Sequence, residues 1–178
     1  MRIGFGFDIH RTDADRPLVL GGVTFDDAPF GLTGHSDADV VIHALIDALL
    51  GALALGDIGR WFPDSDPQWA GADSRRLLER VVAEMSRAGW RPGNVDITVI
   101  AERPRLAGRI EAMRRSLAAL LDCAAEQVSV KATTHEGIGP LGGQEAIAAH
   151  AVALLVPAEP DASPAKPPAG PAGGEELS

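Results

Sequence analysis

The order of sequence patterns predicts an α/β or α+β sandwich of the split-βαβ kind, with helices packed on one sheet. Segments that alternate like strands are separated by segments with helical periodicity, and two of the helices fall between strands. The 178 residues suffice for one well-packed domain and are too few for two comfortable ones. The order of strands within the sheet stays open at this stage.

Four segments are predicted to be strands. The first has apolar residues at every second position, as a half-buried strand does. The second is interrupted by Gly21-Gly22, which indicates a bulge or a turn. A last apolar segment, 146–156, fits a strand or a helix by periodicity alone. The four predicted strands are 2–10, 17–25, 95–101 and 128–134.

Three segments are predicted to be helices. The segment 37–55 is apolar nearly all round, which is typical of a buried helix, and Ser36 stands where an N-cap is expected. The segment 74–88 is amphipathic and is followed by Gly89, a common helix stop. The segment 106–121 is amphipathic as well.

The composition bounds the class of protein. The stretch 157–178 is rich in Pro, Ala and Gly, so it is predicted to be a disordered tail behind a folded domain of residues 1–156. The net charge of −9 and the lack of a basic patch argue against nucleic acid as a partner. The single Cys123 excludes an internal disulfide, and no apolar stretch is long enough for a membrane span. A soluble, cytoplasmic protein is expected.

A possible metal site is spread over the first strand and the first helix. Asp8 and His10 lie two apart in the strand and therefore point to the same side. Asp39 and His43 lie four apart near the start of the helix and share a face. A carboxylate with two imidazoles can hold a Zn²⁺-type ion and leave one coordination position open. A solvated Asp–His pair and a buried structural histidine are the alternatives, and spacing alone does not exclude them.

Two further segments have the composition of functional loops. Residues 56–66, GDIGRWFPDSD, combine glycines with acidic residues directly after the buried helix, although a solvated connection has a similar composition. Residues 131–137, KATTHEG, run from a strand into a loop, where hydroxyls and backbone N–H groups suit phosphate oxygens. Glu136 is a candidate ligand for a second, harder cation such as Mg²⁺ that bridges phosphates.

Taken together, these segments resemble one enzyme family. The residues RIGFGFDIHR, LGGV, HSDADVVIHALIDALLGALALGDIGRWFPDSDP, GADS, GNVDITVIAERPRL and VKATTHEGIG closely resemble those of the 2-C-methyl-D-erythritol 2,4-cyclodiphosphate synthases. The resemblance covers about residues 1–156, and the segment from HSDADVVIHAL to FPD-x-D is long enough to be specific. It implies a ferredoxin-like subunit, with a mixed sheet packed against helices, and a homotrimer whose active sites lie between neighbouring subunits.

The resemblance also implies a reaction of non-mevalonate isoprenoid synthesis. The 2-phosphate of 4-diphosphocytidyl-2-C-methyl-D-erythritol 2-phosphate attacks the β-phosphorus, which closes a cyclic diphosphate and expels CMP. Nucleophile and leaving group belong to one molecule, so the enzyme mainly has to fold its substrate and neutralise charge. Two cations are implied: Zn²⁺ or another divalent ion at Asp8, His10 and His43, and Mg²⁺ or Mn²⁺ at Glu136 and the substrate diphosphate.

Further roles are implied by the resemblance, position by position. His35 and Thr134 match the pair that stabilises the transition state, and Ser36 matches a residue near the phosphate. The loop that binds methylerythritol is matched by Asp57, Ile58, Gly59, Phe62, Pro63, Asp64, Ser65 and Asp66. The cytidine pocket is matched by Ala101, Glu102, Arg103, Pro104, Arg105, Leu106 and Ala107, completed by Ala132, Thr133 and Thr134. Substrate contacts are also implied for Asp8, Ile9, His10, His135 and Glu136.

The loop 135–144 departs from the family pattern. His135 stands where a threonine or another small residue is usual, Pro140 replaces a large apolar residue, and Gly143 replaces an arginine. These changes bear on phosphate contacts and on isoprenoid-diphosphate binding along the trimer axis, but they do not touch the three metal ligands. Two alternative functions use the same residues: a metal-dependent phosphoesterase and a non-catalytic trimer that binds CDP.

Overall fold

The computed structural model describes residues 1–158. The predicted tail, 157–178, lies outside the described residues except for Pro157, which ends the last strand, and Ala158. No helix within the described range combines the length and apolar content that crossing a membrane requires. The strands are β1 (Arg2–Asp13), β2 (Leu18–Leu20), β3 (Val23–Phe25), β4 (Gly31–Leu32), β5 (Trp90–Ile100), β6 (Val128–Thr133) and β7 (Ala146–Pro157). The helices are α1 (Val40–Leu53), α2 (Ile58–Trp61), α3 (Ser74–Arg87), α4 (Ile110–Leu120) and α5 (Gly139–Gly142).

Five strands form one mixed sheet in the order β4-β1-β7-β5-β6, and β2 pairs with β3 in a separate hairpin. β5 and β6 run parallel, whereas the other neighbours in the sheet run antiparallel. Helix α1 packs against β1 and β7, and α4 packs beside β6. The predicted ferredoxin-like sandwich, with a mixed sheet packed against helices, is confirmed. The segment 146–156, which periodicity left open, is a strand that pairs with both β1 and β5.

The first helix begins later than predicted. α1 starts at Val40, and Asp39 caps it by accepting two backbone N–H groups of the first turn, each at 3.1 Å. Ala38 has a positive φ of 60°, which breaks the helical path on its N-terminal side. The prediction of Ser36 as the N-cap is therefore wrong. Its buried side chain turns toward His43 instead.

The segment predicted as one strand over 17–25 is the hairpin β2–β3. Gly21 and Gly22 form its turn with φ values of 60° and 74°, a conformation that favours glycine. Their N–H groups donate to the buried carboxylate of Asp39 at 2.9 and 2.6 Å. Burial raises the pKa of the Asp39 carboxyl to about 6, against the opposing effect of these hydrogen bonds. Asp39 therefore joins the hairpin to α1 and has a structural role.

Two glycines of β1 let α1 approach the sheet closely. A Cβ atom at Gly6 would stand 1.9 Å from the carbonyl oxygen of Ala44, and a similar conflict would arise at Gly4. A larger residue at either position would push the helix away. Because side chains alternate along a strand, the side of β1 that faces α1 also carries Asp8 and His10. The glycines thus bring the helix next to both residues.

The other side of β1 is apolar and exposed. Ile3, Phe5, Phe7 and Ile9 are 73%, 60%, 45% and 45% exposed. The ring of Phe7 lies 4.8 Å from that of His150 on the neighbouring β7. A continuous apolar surface of this kind on a folded domain is typical of a contact surface.

Candidate metal centre and active site

Three potential metal ligands converge where β1 meets the first turn of α1. The Nε2 atom of His10 lies 3.0 Å from the Oδ2 atom of Asp8 and 3.0 Å from the Nδ1 atom of His43. The remaining separation, between His43 Nδ1 and Asp8 Oδ2, is 3.1 Å. A tetrahedral ion with bonds of roughly 2.0–2.2 Å holds its donor atoms about 3.3–3.6 Å apart, so these three atoms need to separate by only a few tenths of an ångström to bind one. The structure therefore brings the three predicted metal ligands together, and they form a candidate metal site.

Hydrogen bonding orients the ring of His10 for metal binding. Its Nδ1 atom lies 2.7 Å from the carbonyl oxygen of Thr33. Because a carbonyl oxygen only accepts, this nitrogen carries a proton, and in the neutral ring Nε2 then holds a lone pair. That lone pair faces a second ring nitrogen and a carboxylate oxygen. A cation between the three atoms would relieve their mutual repulsion, so the ligand set fits a divalent ion.

The charges at this centre favour an ionised carboxylate. Burial alone would raise the pKa of the Asp8 carboxyl, but hydrogen bonds and charge interactions with His10 and His43 outweigh burial and lower it below its usual range. Burial likewise lowers the pKa of His10, but the contact with Asp8 outweighs it and raises the pKa above the ordinary value of 6.5. A metal ion competes with that proton, so metal affinity should fall as the pH falls.

A cavity of about 240 Å³ opens over the three ligands. It brings the metal centre together with part of the predicted methylerythritol site. The predicted substrate-binding residues that line it, beyond the three ligands, are His35, Ser36, Ile58, Gly59, Phe62 and Asp64. Other residues of the same loop, Asp57, Pro63, Ser65 and Asp66, do not line the cavity. Trp69 and Leu77 do line it, although the sequence pattern did not single them out.

His35 lines this cavity and has one ring nitrogen without a partner in the described part of the chain. Its Nε2 atom is buried and has no hydrogen-bond partner among residues 1–158. The backbone around His35 is held by Arg16, whose guanidinium donates to the carbonyl oxygen of Gly34 at 2.6 Å and to that of Ser36. Sequence reasoning missed Arg16, because its role depends on a contact across 20 residues that no local motif marks.

The loop predicted to bind methylerythritol is anchored to the helix that carries His43. The backbone N–H of Ile58 donates to the carboxylate of Asp47 at 2.8 Å. Asp57 accepts the N–H of Arg60 at 2.9 Å and so caps α2. Burial raises the pKa of the Asp47 carboxyl. Because Asp47 lies one turn after His43, α1 positions both a metal ligand and this loop, and the i,i+4 spacing is the signal that could have revealed Asp47.

The residues predicted for the cytidine pocket lie away from the metal cavity in the structure. Glu102, Arg103, Pro104 and Arg105 line a second cavity of about 490 Å³, which shares no lining residue with the first. The peptide bond between Arg103 and Pro104 is cis. Ala101 and Leu106 are buried in the core, whereas Ala107, Ala132 and Thr133 are exposed.

The loop that carries Glu136 is exposed. The hydroxyl of Thr134 donates to the Glu136 carboxylate at 2.9 Å. The carboxylate of Glu102 accepts the backbone N–H groups of His135 and Gly137 at 2.9 and 3.2 Å. Neither Thr134 nor Glu136 lines the cavity over the metal centre. A single chain therefore does not place the predicted pair of His35 and Thr134 around a common cavity.

Comparison with known proteins identifies the family of this chain. The model of the YgbB family matches residues 1–156. The chain belongs to the YgbB family. One similar protein is the 2-C-methyl-D-erythritol 2,4-cyclodiphosphate synthase of Thermosynechococcus vestitus (strain NIES-2133 / IAM M-273 / BP-1). It is 58% identical over 155 residues, which are 87% of this chain and 96% of that protein.

Solved structures of YgbB-family relatives have the same fold. The structure of IspF from Plasmodium falciparum, a CDP complex, has a TM-score of 0.78 and 34% identity, over 89% of this chain and 97% of that chain. The bifunctional IspDF from Campylobacter jejuni has a TM-score of 0.83 and 40% identity, over 86% of this chain and 42% of that chain. The predicted membership in this family of isoprenoid-pathway lyases is confirmed.

Proposed function

We propose that this YgbB-family chain converts 4-diphosphocytidyl-2-C-methyl-D-erythritol 2-phosphate to 2-C-methyl-D-erythritol 2,4-cyclodiphosphate and CMP. The observation that carries the proposal is the convergence of Asp8, His10 and His43 beside a cavity, in a chain 58% identical to a named synthase. The single cysteine, Cys123, is free, which supports a reducing, cytoplasmic location.

Two groups of residues would hold divalent cations. Asp8, His10 and His43 suit Zn²⁺, because two imidazoles and a carboxylate are a frequent ligand set for that ion. Glu136 suits Mg²⁺ or Mn²⁺, which a carboxylate commonly holds together with substrate phosphate oxygens. Such cations, when bound, supply Lewis-acid neutralisation of phosphate charge.

The protein's own groups fold the substrate and direct its phosphates. The 2-phosphate oxygen forms a bond to the β-phosphorus, while the bond from that phosphorus to the oxygen shared with the α-phosphate breaks, and CMP leaves with that oxygen. The ring of His35, which lines the cavity, can donate a hydrogen bond to a phosphate oxygen on this path. Ile58 and Gly59 of the predicted methylerythritol loop line the same cavity, where hydroxyls of the methylerythritol part can bind.

We further propose that each complete site is built from two subunits of a homotrimer. In one chain the metal cavity and the cavity of Glu102 to Arg105 share no lining residue. The exposed apolar side of β1, formed by Ile3, Phe5, Phe7 and Ile9, supplies a surface that a second copy can cover. Association through this surface would join the metal cavity of one subunit to the Thr134 and Glu136 loop of the next.

The decisive experiment follows CMP release and examines the product by phosphorus NMR, with Zn²⁺ and Mg²⁺ supplied together. The proposal predicts CMP in equal amount to a cyclic diphosphate. A phosphoesterase would give linear phosphates without the cyclic product. A non-catalytic binding protein would retain the nucleotide and release no CMP under any metal condition.

A further inference from the structure

The ring nitrogen of His43 that points away from the metal centre meets two buried hydroxyl groups. Its Nε2 atom lies 2.9 Å from the Oγ atom of Ser74 and 3.1 Å from that of Ser36. Ser74 is the first residue of α3 and is fully buried. A hydroxyl at a helix start commonly caps the helix. Because Asp73 caps α3, the Ser74 side chain can take another role.

Asp37 decides the direction in which the Ser74 hydroxyl points. One oxygen of its carboxylate accepts the Ser74 hydroxyl at 2.5 Å, and the other accepts the Ser74 backbone N–H at 3.1 Å. A carboxylate has no proton to donate, so the single hydroxyl proton of Ser74 goes to Asp37. The Ser74 oxygen then offers only lone pairs to His43.

This arrangement selects one tautomer of the His43 ring. Because Ser74 can only accept from it, Nε2 carries the proton, and the lone pair of the neutral ring is on Nδ1. Nδ1 is the atom that faces Asp8 and His10 at the metal centre. Ser36 lies farther from Nε2, at 3.1 Å, and the Ser74 oxygen, 3.4 Å away, can accept its hydroxyl proton, so that the Ser36 oxygen also accepts from Nε2.

We propose that Asp37 and Ser74 act together as positioning residues that hold His43 as an Nδ1 metal ligand. This Asp37–Ser74 pair has no contact with the reacting atoms. This role rests on the proposed metal site. It explains why Nδ1 of His43, and not Nε2, is presented to the ion. Groups in this position typically change metal affinity by about 10- to 100-fold.

The first test measures Zn²⁺ affinity of the full chain by competition with a chromophoric chelator. Ser74→Ala is expected to weaken Zn²⁺ binding about 10- to 100-fold at unchanged stoichiometry. The matched control is Val81→Ala, a truncation of a fully buried apolar residue on the same helix. It should lower the free energy of unfolding without weakening Zn²⁺ binding, which separates loss of stability from loss of positioning.

A second variant breaks the pair from its other end. In Asp37→Ala the Ser74 hydroxyl loses its acceptor and can donate to Nε2, which moves the ring proton to Nδ1, where it blocks the metal. Zn²⁺ affinity should fall at least as far as in Ser74→Ala. The double variant has no Ser74 hydroxyl left to donate to Nε2, so it should bind Zn²⁺ about as well as Ser74→Ala alone.

Nitrogen NMR of the histidine rings reports the tautomer directly. In the Zn²⁺-loaded protein at pH 8, His43 should bind the ion through Nδ1 and carry its proton on Nε2, and this preference should be lost in Ser74→Ala. Unchanged Zn²⁺ affinity and an unchanged tautomer in Ser74→Ala would overturn the inference alone. Undiminished Zn²⁺ binding in His43→Ala would instead overturn the metal site of the proposed function, so the two failures can be told apart.

Discussion

The metal centre and the 135–144 loop differ in how the chain itself holds them. At the metal centre each imidazole has a partner behind it: Thr33 for His10 and Ser74 for His43. The ligand atoms are already within 3.0–3.1 Å of one another. In the loop, Glu136 is exposed, has a positive φ of 53°, and contacts mainly its neighbour Thr134. The metal centre is the preorganised half of the proposed active site, and the loop is its exposed half.

The unusual residues of the loop have a local structural explanation. Pro140 lies in the first turn of α5, where its fixed φ suits a helix start. The N–H of Gly143 donates to the carbonyl oxygen of Gly139 at 2.8 Å and closes that short turn. A Cβ atom at Gly142 would stand 2.2 Å from the backbone of Gly137, so the loop folds back tightly on itself.

The largest expected effect comes from removing a ligand of the preorganised half. His43→Ala leaves two ligands and should abolish stoichiometric Zn²⁺ binding, with turnover reduced at least about 1,000-fold. Metal analysis and CMP release measure the two losses. Asp57→Ala is the matched control, since it lies outside the metal centre and should keep its Zn²⁺ while substrate binding weakens. Full activity in His43→Ala would contradict the metal assignment.

A smaller effect is expected in the exposed half. Glu136→Gln removes the charge of the proposed Mg²⁺ ligand and should lower turnover about 10- to 100-fold, with a higher Mg²⁺ concentration needed for half-maximal activity. Zn²⁺ content should stay at the wild-type level. The measurement is a Mg²⁺ titration of CMP release at saturating Zn²⁺. Loss of Zn²⁺ from this variant would mean that the two halves are not independent.

What could be predicted of the metal centre from the sequence depends on whether the contact is local or long-range. The strand period places Asp8 and His10 on one side, so the ligand pair could be found before the fold was known. Nothing local marks Ser74, because its contact with His43 spans 31 residues and depends on how α3 packs against α1. Ser36 and Asp39 are equally good N-cap residues, and contacts of Asp39 with the distant hairpin turn decide between them.

The exposed apolar side of β1 illustrates a second limit. Alternation shows that Ile3, Phe5, Phe7 and Ile9 share one side of a strand, but it does not show whether a helix or another subunit covers that side. The glycines at positions 4 and 6 carry that information. They form the side on which α1 packs, so the apolar residues must face the other way.

A substitution at the close contact between β1 and α1 should have a moderate effect on stability and on the metal centre. In Gly6→Ala the new Cβ meets the carbonyl oxygen of Ala44, so α1 must shift, and the free energy of unfolding should fall by about 1–3 kcal/mol. Zn²⁺ affinity should fall as well, because α1 carries His43. The control is Gly51→Ala on α1, where the nearest atom to a new Cβ is 3.9 Å away. It should be neutral or slightly stabilising.

The smallest effect is expected next to the Asp37–Ser74 pair, at the half-exposed cap of α3. The side chain of Arg75 donates to Asp73 and lowers the pKa of its carboxyl, with burial opposing. A lowered folded-state pKa means stability that is present above the ordinary value of 3.8 and is lost as the pH falls toward the lowered value. Asp73→Asn should therefore reduce the free energy of unfolding by about 0.2–1 kcal/mol at pH 7.

Urea unfolding at pH 7 and pH 3 checks this last prediction, because the difference between wild type and Asp73→Asn should shrink at the lower pH. The same variant separates the cap from the metal centre. If the Asp37–Ser74 pair positions His43, loss of the Asp73 charge on the outer side of the same turn should leave Zn²⁺ affinity unchanged. A parallel loss of affinity would show instead that any weakening of the α3 start disturbs the centre.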